Sequence, residues 1–179
     1  MTAPLLTRRV EALESAFRHI ARSRMAGVPI LHPSLAVQAV GFAPAPAEAG
    51  PPGVALGVLI TPWFMNLVQL PLDADAAQAL PQPGLSQALA IGDWRFDFFG
   101  GEEEGLGRYA AASLFSPMAE FVDQAAAVAT AREVLLQLRP VAPVAASVVA
   151  PIAVTAAPPA EPVPARRGFL FGRSNAGAR

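Results

Sequence analysis

The 179-residue sequence contains no cysteine and no lysine, a single tyrosine and two histidines. The lack of cysteine excludes disulfides, thiolate nucleophiles, iron–sulfur ligation and zinc–thiolate sites. The lack of lysine removes Schiff-base chemistry and a Walker-type phosphate lysine. His19 falls on the polar side of a helical segment and His32 precedes Pro33 in a turn, so each reads as a surface or turn residue. Ser113 and Ser116 have no His and Asp partners at triad spacing. The stretch from Gly100 to Gly107 follows no phosphate-binding pattern, and its three glutamates repel phosphate. A catalytic reading is therefore poor, and no metal or cofactor is expected. A long hydrophobic run is missing too, because Pro143 and Pro151 interrupt the apolar window 141–157. Arg8-Arg9 is followed by Glu11 and Glu14 and not by an apolar stretch, which argues against an N-terminal export signal and makes the cytoplasm the expected location.

Apolar residues are plentiful at 53%, enough for one domain with a real core. Charge is scarce and unevenly placed. Residues 1–24 carry five Arg and two Glu, residues 25–138 three Arg and eleven acids, and residues 139–179 five Arg and one Glu. The basic ends flank an acidic middle. That balance disfavours nucleic acid as a partner of the core and suits a cationic peptide.

The pattern predicts an α+β domain: an antiparallel sheet flanked by an N-terminal and a C-terminal helix, with a disordered Pro/Ala-rich tail. Leu6, Val10, Leu13, Phe17 and Ile20 recur at helical spacing and predict an amphipathic helix over 4–25, ended by Gly27 and Pro29. A strand is expected over 35–42, two strands or one bent strand over 54–61 and 64–70 with Pro62 between them, and another where Trp94, Phe96 and Phe98 alternate with polar residues. Residues 73–90 read as a loop or short helix, 100–107 as a glycine-rich acidic loop, and 109–115 as a further strand. Ser116-Pro117 predicts the start of a second helix running to 138. The domain is expected to span 1–139, an Ala/Pro-rich linker 140–165, and a terminal motif 166–179.

Three features carry candidate chemistry. Trp63, Phe64 and Met65 beside Asn66 read either as core or as the wall of an adaptable apolar groove, with Asn66 bonding a ligand backbone or capping a strand. Glu102, Glu103 and Glu104, with Asp97, read either as a solvated turn or as an edge that binds arginine, since carboxylates take guanidinium bidentately. The third is Arg166-Arg167-Gly168-Phe169-Leu170, which looks like a twin-arginine export signal but lies beyond a proline-rich stretch with no apolar run after it. It reads either as apolar residues completing the core or as an imitation of the protein's own ligand.

Several segments together resemble the nickel–iron hydrogenase assembly chaperones of the HybE/HupJ type. They are Leu31-His32-Pro33-Ser34, Ile60-Thr61-Pro62-Trp63, Glu104-Gly105 through Tyr109, Ser113-Leu114-Phe115-Ser116-Pro117-Met118, and Arg166 through Arg173. The resemblance covers residues 8–139 and the terminal motif. It implies a cytoplasmic chaperone, not an enzyme, that binds the twin-arginine signal peptide of the hydrogenase small-subunit precursor. Export is then delayed until assembly is complete, and the large-subunit precursor is a further possible partner. The alternative is a scaffold or protective factor that joins the two subunits without reading the signal. Membrane insertion is not expected. Some relatives are fused to, or lie beside, a rubredoxin-like module. The absence of cysteine places none within these 179 residues.

Overall fold

The computed structural model describes residues 2–139; the linker, and the motif residues Arg166, Arg167, Phe169 and Leu170, lie outside the described residues. The elements are α1 (Thr2–Arg22), β1 (Gln38–Pro44), β2 (Val54–Ile60), β3 (Met65–Pro71), α2 (Ala74–Ala79), β4 (Ser86–Ile91), β5 (Trp94–Glu103), β6 (Gly107–Phe115) and α3 (Gln124–Leu138). All six strands join one sheet in the order β1-β2-β3-β6-β5-β4, with every neighbouring pair antiparallel.

The central strands explain the short apolar runs over 54–61 and 64–70. Strand residues alternate between faces, and both faces of β2 and β3 are covered. Val54, Leu56, Val58, Ile60, Met65 and Leu67 pack with Ala127, Ala131, Leu135 and Leu138 of α3. On the other face Ala55, Leu59, Val68 and Leu70 pack with Leu13, Phe17 and Ile20 of α1. The helical stripe read from the sequence is thus the buried face of α1. Arg9 fastens the helix further, donating from Nε to the Pro71 carbonyl at 2.9 Å and from Nη1 to the Leu106 carbonyl. Burial pulls that guanidinium below its usual pKa. At the other end of the helix Ser23 Oγ donates to the His19 carbonyl, and Gly27 takes a left-handed φ of 75°.

The second layer differs from expectation in three places. The second helix begins at Gln124 and not at Ser116. Asp123 is its N-cap, accepting from Ala126 N at 2.8 Å. Residues before it pack as turns instead, with Met118 and Phe121 buried and Phe121 edge-on to Phe115 at 5.1 Å. The stretch 73–90 holds a short helix and also the strand β4, whose sequence SQALAI offers only Leu89 and Ile91 as an alternating apolar signal. The expected loop over 100–107 is mostly strand: β5 continues to Glu103, and Glu104-Gly105-Leu106 make the turn. Gly100 and Gly101 lie within that strand because each face is tightly approached. A Cβ on Gly100 would fall 2.2 Å from the Pro81 carbonyl oxygen, and one on Gly101 would fall 2.6 Å from the Tyr109 ring.

α1 lies against the β1–β3 half of its face and leaves the outer half open. There Arg95, Asp97 and Phe99 of β5 are exposed, as are Ser86, Ala88 and Ala90 of β4. No helix among the described residues is long and apolar enough to cross a membrane.

Candidate functional site

The turn between β2 and β3 is built by Thr61. Its side chain is fully buried, and its Oγ1 accepts from Phe64 N at 3.0 Å and Trp63 N at 3.3 Å while donating to the Phe64 carbonyl at 3.0 Å. Thr61 N also donates to that carbonyl at 2.8 Å. Pro62 occupies the second turn position, where its fixed φ is preorganised. The Pro62 carbonyl then accepts from His32 N at 2.8 Å, which docks the Leu31–Ser34 segment onto the turn. Two of the short motifs noted in the sequence therefore form one local structure.

This turn points Trp63 and Phe64 to the α1 face, where both are half-buried. Trp63 meets Phe64 edge-on at 5.5 Å, Phe64 meets Phe17 at 5.8 Å, and Phe17 meets Tyr109 at 5.8 Å. Such edge-to-face pairs each add about 0.5–1.5 kcal/mol beyond area burial. The row of four rings ends where Tyr109 lies across Gly101. Glu103, two residues further along β5, shares that face. Burial raises the Tyr109 pKa, and the nearby Glu103 carboxylate raises it further.

Glu103 accepts from Arg24 Nη2 at 2.6 Å. Hydrogen bonding to Glu103, followed by the charge of that carboxylate, holds Arg24 above the ordinary arginine pKa. Beside this pair a groove of about 760 Å³ separates α1 from the β5–β6 turn. Ala12, Ser15, Ala16 and His19 line its helix side, and Glu103, Glu104 and Gly105 its hairpin side.

The apolar cluster and the acidic run are thereby joined on one sheet face through Phe17 and Tyr109. Not every candidate joins them. Met65 is fully buried on the opposite face, packed with the α3 cluster. Asn66 alternates back to the α1 face opposite Ser113, but its Oδ1 is buried and has no protein partner. Glu102 is exposed, in register with Arg108, and Glu104 is exposed in the turn. Asp97 is exposed on the open part of the α1 face, in register with Ala88. Phe17, Tyr109, Gly101 and Arg24 were not singled out as site residues from the sequence. The Gly-Gly pair within an alternating strand is the one local signal that marked a close approach. Among the described residues, no group of three His, Asp or Glu is placed to hold a metal ion.

The family model for "[NiFe]-hydrogenase assembly, chaperone, HybE" matches residues 8–172. The chain is 45% identical over 170 residues to Protein HoxT of Cupriavidus necator, covering 92% of this chain and 89% of that protein. It is 39% identical over 165 residues to the hydrogenase expression/formation protein HoxT of Azotobacter vinelandii, covering 92% and 91%. A "Probable rubredoxin HupJ" of Rhodobacter capsulatus is 38% identical, but there the match spans 72% of this chain and only 44% of the relative. The solution structure of HybE from Escherichia coli superposes with a TM-score of 0.56 at 24% identity, over 94% of this chain and 91% of that one, which shows the same fold. On the family match and the near full-length relatives, the chain belongs to the [NiFe]-hydrogenase assembly chaperones of the HybE family.

Proposed function

We propose that this chaperone acts in the cytoplasm and binds the twin-arginine signal peptide of the hydrogenase small-subunit precursor, holding export back until assembly is complete. The observation that supports this most is the row Trp63–Phe64–Phe17–Tyr109 ending beside Glu103. A twin-arginine peptide has the matching order, cationic at one end and apolar after it. In this reading Glu103 and Glu104 receive guanidinium at the groove, and Trp63 and Phe64 meet the apolar stretch at the far end of the row. Asp97 and Glu102 add long-range attraction. Asn66, half-buried on the α1 face with its Oδ1 inside, has only its amide nitrogen to offer the peptide backbone. Met65 supports the turn from beneath. The terminal motif, Arg166-Arg167 with Phe169 and Leu170, competes for the same surface. Titration of the full chain with the cognate signal peptide and with its Arg-to-Ala version tests this, and equal affinity for both removes it.

A second reading, a scaffold that joins small and large subunits, draws on the β4–β5 hairpin. Leu85, Trp94 and Phe99 there are 55–59% exposed, Leu85 and Phe99 at one end of the hairpin and Trp94 at the other. A small subunit lacking its signal peptide separates the two readings. Retained capture by the chaperone favours the scaffold.

A further inference from the structure

We propose that Glu103 is a guanidinium-binding subsite whose resident occupant is Arg24, and that an arginine of the incoming peptide takes Arg24's place. The inference rests on the peptide-binding reading above and names the residue that sets its threshold.

The two halves of the pair are unequal. Glu103 is held at the end of β5 with its side chain 23% exposed, beside the half-buried Tyr109 ring. Arg24 lies beyond the last residue of α1, in the turn leading to Gly27, with its side chain 61% exposed. The Glu103 backbone is thus held in the sheet while the guanidinium reaches its carboxylate from a turn. The other ion pair of this region is held differently. Arg18 and Glu14 are one helical turn apart, and Glu14 also accepts from Ala39 N at 2.8 Å, so that carboxylate ties α1 to β1. Glu103 has no such second tie: Arg24 is its one hydrogen-bond donor among the described residues.

Exchange at this point is energetically easy. Replacing one guanidinium by another at the same carboxylate creates no newly buried charge, so the desolvation cost that opposes most ion pairs is nearly absent. The outcome is then decided by the neighbours. The groove next to Glu103 has a helix wall of Ala12, Ser15 and Ala16, whose short side chains leave room for an extended segment. Glu104 also lines it and can take a second cationic residue, against the opposing charge of Arg22 on the helix side. A single arginine gains only what Arg24 gave up, whereas adjacent arginines gain Glu104 in addition. The arrangement therefore favours an arginine pair over an isolated one.

The test compares wild type, Arg24→Gln, Arg24→Lys and Glu103→Gln as full chains. The probe is a labelled synthetic peptide carrying Arg-Arg-Gly-Phe-Leu, with a Gln-Gln counterpart. Arg24→Gln should tighten binding of the arginine peptide by roughly threefold at low salt, the scale of an exposed ion pair, and leave the glutamine peptide unchanged. Arg24→Lys should fall between, and Glu103→Gln should weaken the arginine peptide. In wild type, the Arg24 side-chain NMR signal should shift toward that of a free arginine as peptide is added. If wild type prefers the arginine peptide but Arg24→Gln binds it no more tightly, Arg24 is only a staple between the turn and the hairpin, and the inference fails while the peptide-binding reading stands. Equal binding of both peptides by wild type overturns the two together. Unchanged thermal unfolding of Arg24→Gln ensures that any gain is not a folding effect.

Discussion

Replacing Thr61 by valine tests whether a hydroxyl, and not merely a shape, sets the turn that carries Trp63 and Phe64. Valine keeps the volume and the branching, so it opens no cavity. What it removes is an acceptor for Phe64 N and Trp63 N and a donor to the Phe64 carbonyl. The carbonyl retains its bond from Thr61 N at 2.8 Å, so the two turn N–H groups bear the loss. An unpaired buried donor costs about 1–3 kcal/mol. Trp63 and Phe64 are half-buried, and water recovers part of this, which places the total near 2 kcal/mol. For a domain of this size that is a fall of about 4–8 °C in Tm. Thr61→Ser keeps the hydroxyl and loses one methyl, worth about 1 kcal/mol. The order is the informative part: the variant closer in shape should be the less stable. Urea unfolding followed by tryptophan fluorescence reads it directly, because Trp63 is itself in the turn. Valine equal to or more stable than serine would refute the hydroxyl's role. The same order should hold for peptide affinity if the turn positions the site.

Gly101→Ala should push the Tyr109 ring aside, because the new Cβ would sit 2.6 Å from it. A loss of about 1–3 kcal/mol in stability is expected, together with a Tyr109 pKa closer to the ordinary value in an ultraviolet titration. In wild type the raised Tyr109 pKa gives a stabilisation that is fully present below the ordinary value of 10.0 and lost as pH rises through the folded value. A denaturation series above pH 9 should show stability falling, and a Tyr109→Phe variant should lack that part of the fall. Asp123→Ala should cost about 1 kcal/mol through the lost cap of α3, read as a lower urea midpoint at unchanged slope. Arg166→Gln with Arg167→Gln, made in the full chain, should tighten signal-peptide binding if the terminal motif competes for the site; identical affinity removes that competition.

The parts of the fold readable from the sequence were those where one physical rule dominated. The stripe Leu6, Val10, Leu13, Phe17 and Ile20 has a single period, and α1 follows it. β2 is apolar throughout, and β3 is apolar apart from Asn66 and Gln69, because both faces are covered. β4 is hard to read for the opposite reason: only Leu89 and Ile91 turn to the core, and Ser86, Gln87, Ala88 and Ala90 are exposed, so the alternation is two residues long. Ser116-Pro117 satisfies a helix-start pattern locally, yet α3 starts later. Asp123 satisfies it equally well seven residues later, and the buried contacts of Met118 and Phe121 decide between them. At the site, residue types were readable and facing was not. Trp63, Phe64 and Met65 are consecutive, yet the turn geometry sends the first two to one face and the third to the other. Arg24 carried no signal, because its partner is 79 residues away.

The residues that make up the site divide by what their substitution can reveal. Phe17 and Tyr109 belong to the aromatic row and also to the cluster that fastens α1 to the sheet. Truncating either removes buried area and ring contacts worth several kcal/mol, so lost binding there is inseparable from lost folding. Arg24, Glu104 and Phe99 lie outside the buried cluster, at the groove rim or on the open half of the sheet. Surface changes of this kind usually shift stability by less than about 0.5 kcal/mol. A binding effect at those positions is therefore attributable to the ligand. If changes at Arg24 and Glu104 move arginine-peptide affinity while Phe99→Ser does not, the peptide lies in the groove along α1. If Phe99→Ser alone matters, the client instead occupies the uncovered sheet beyond it.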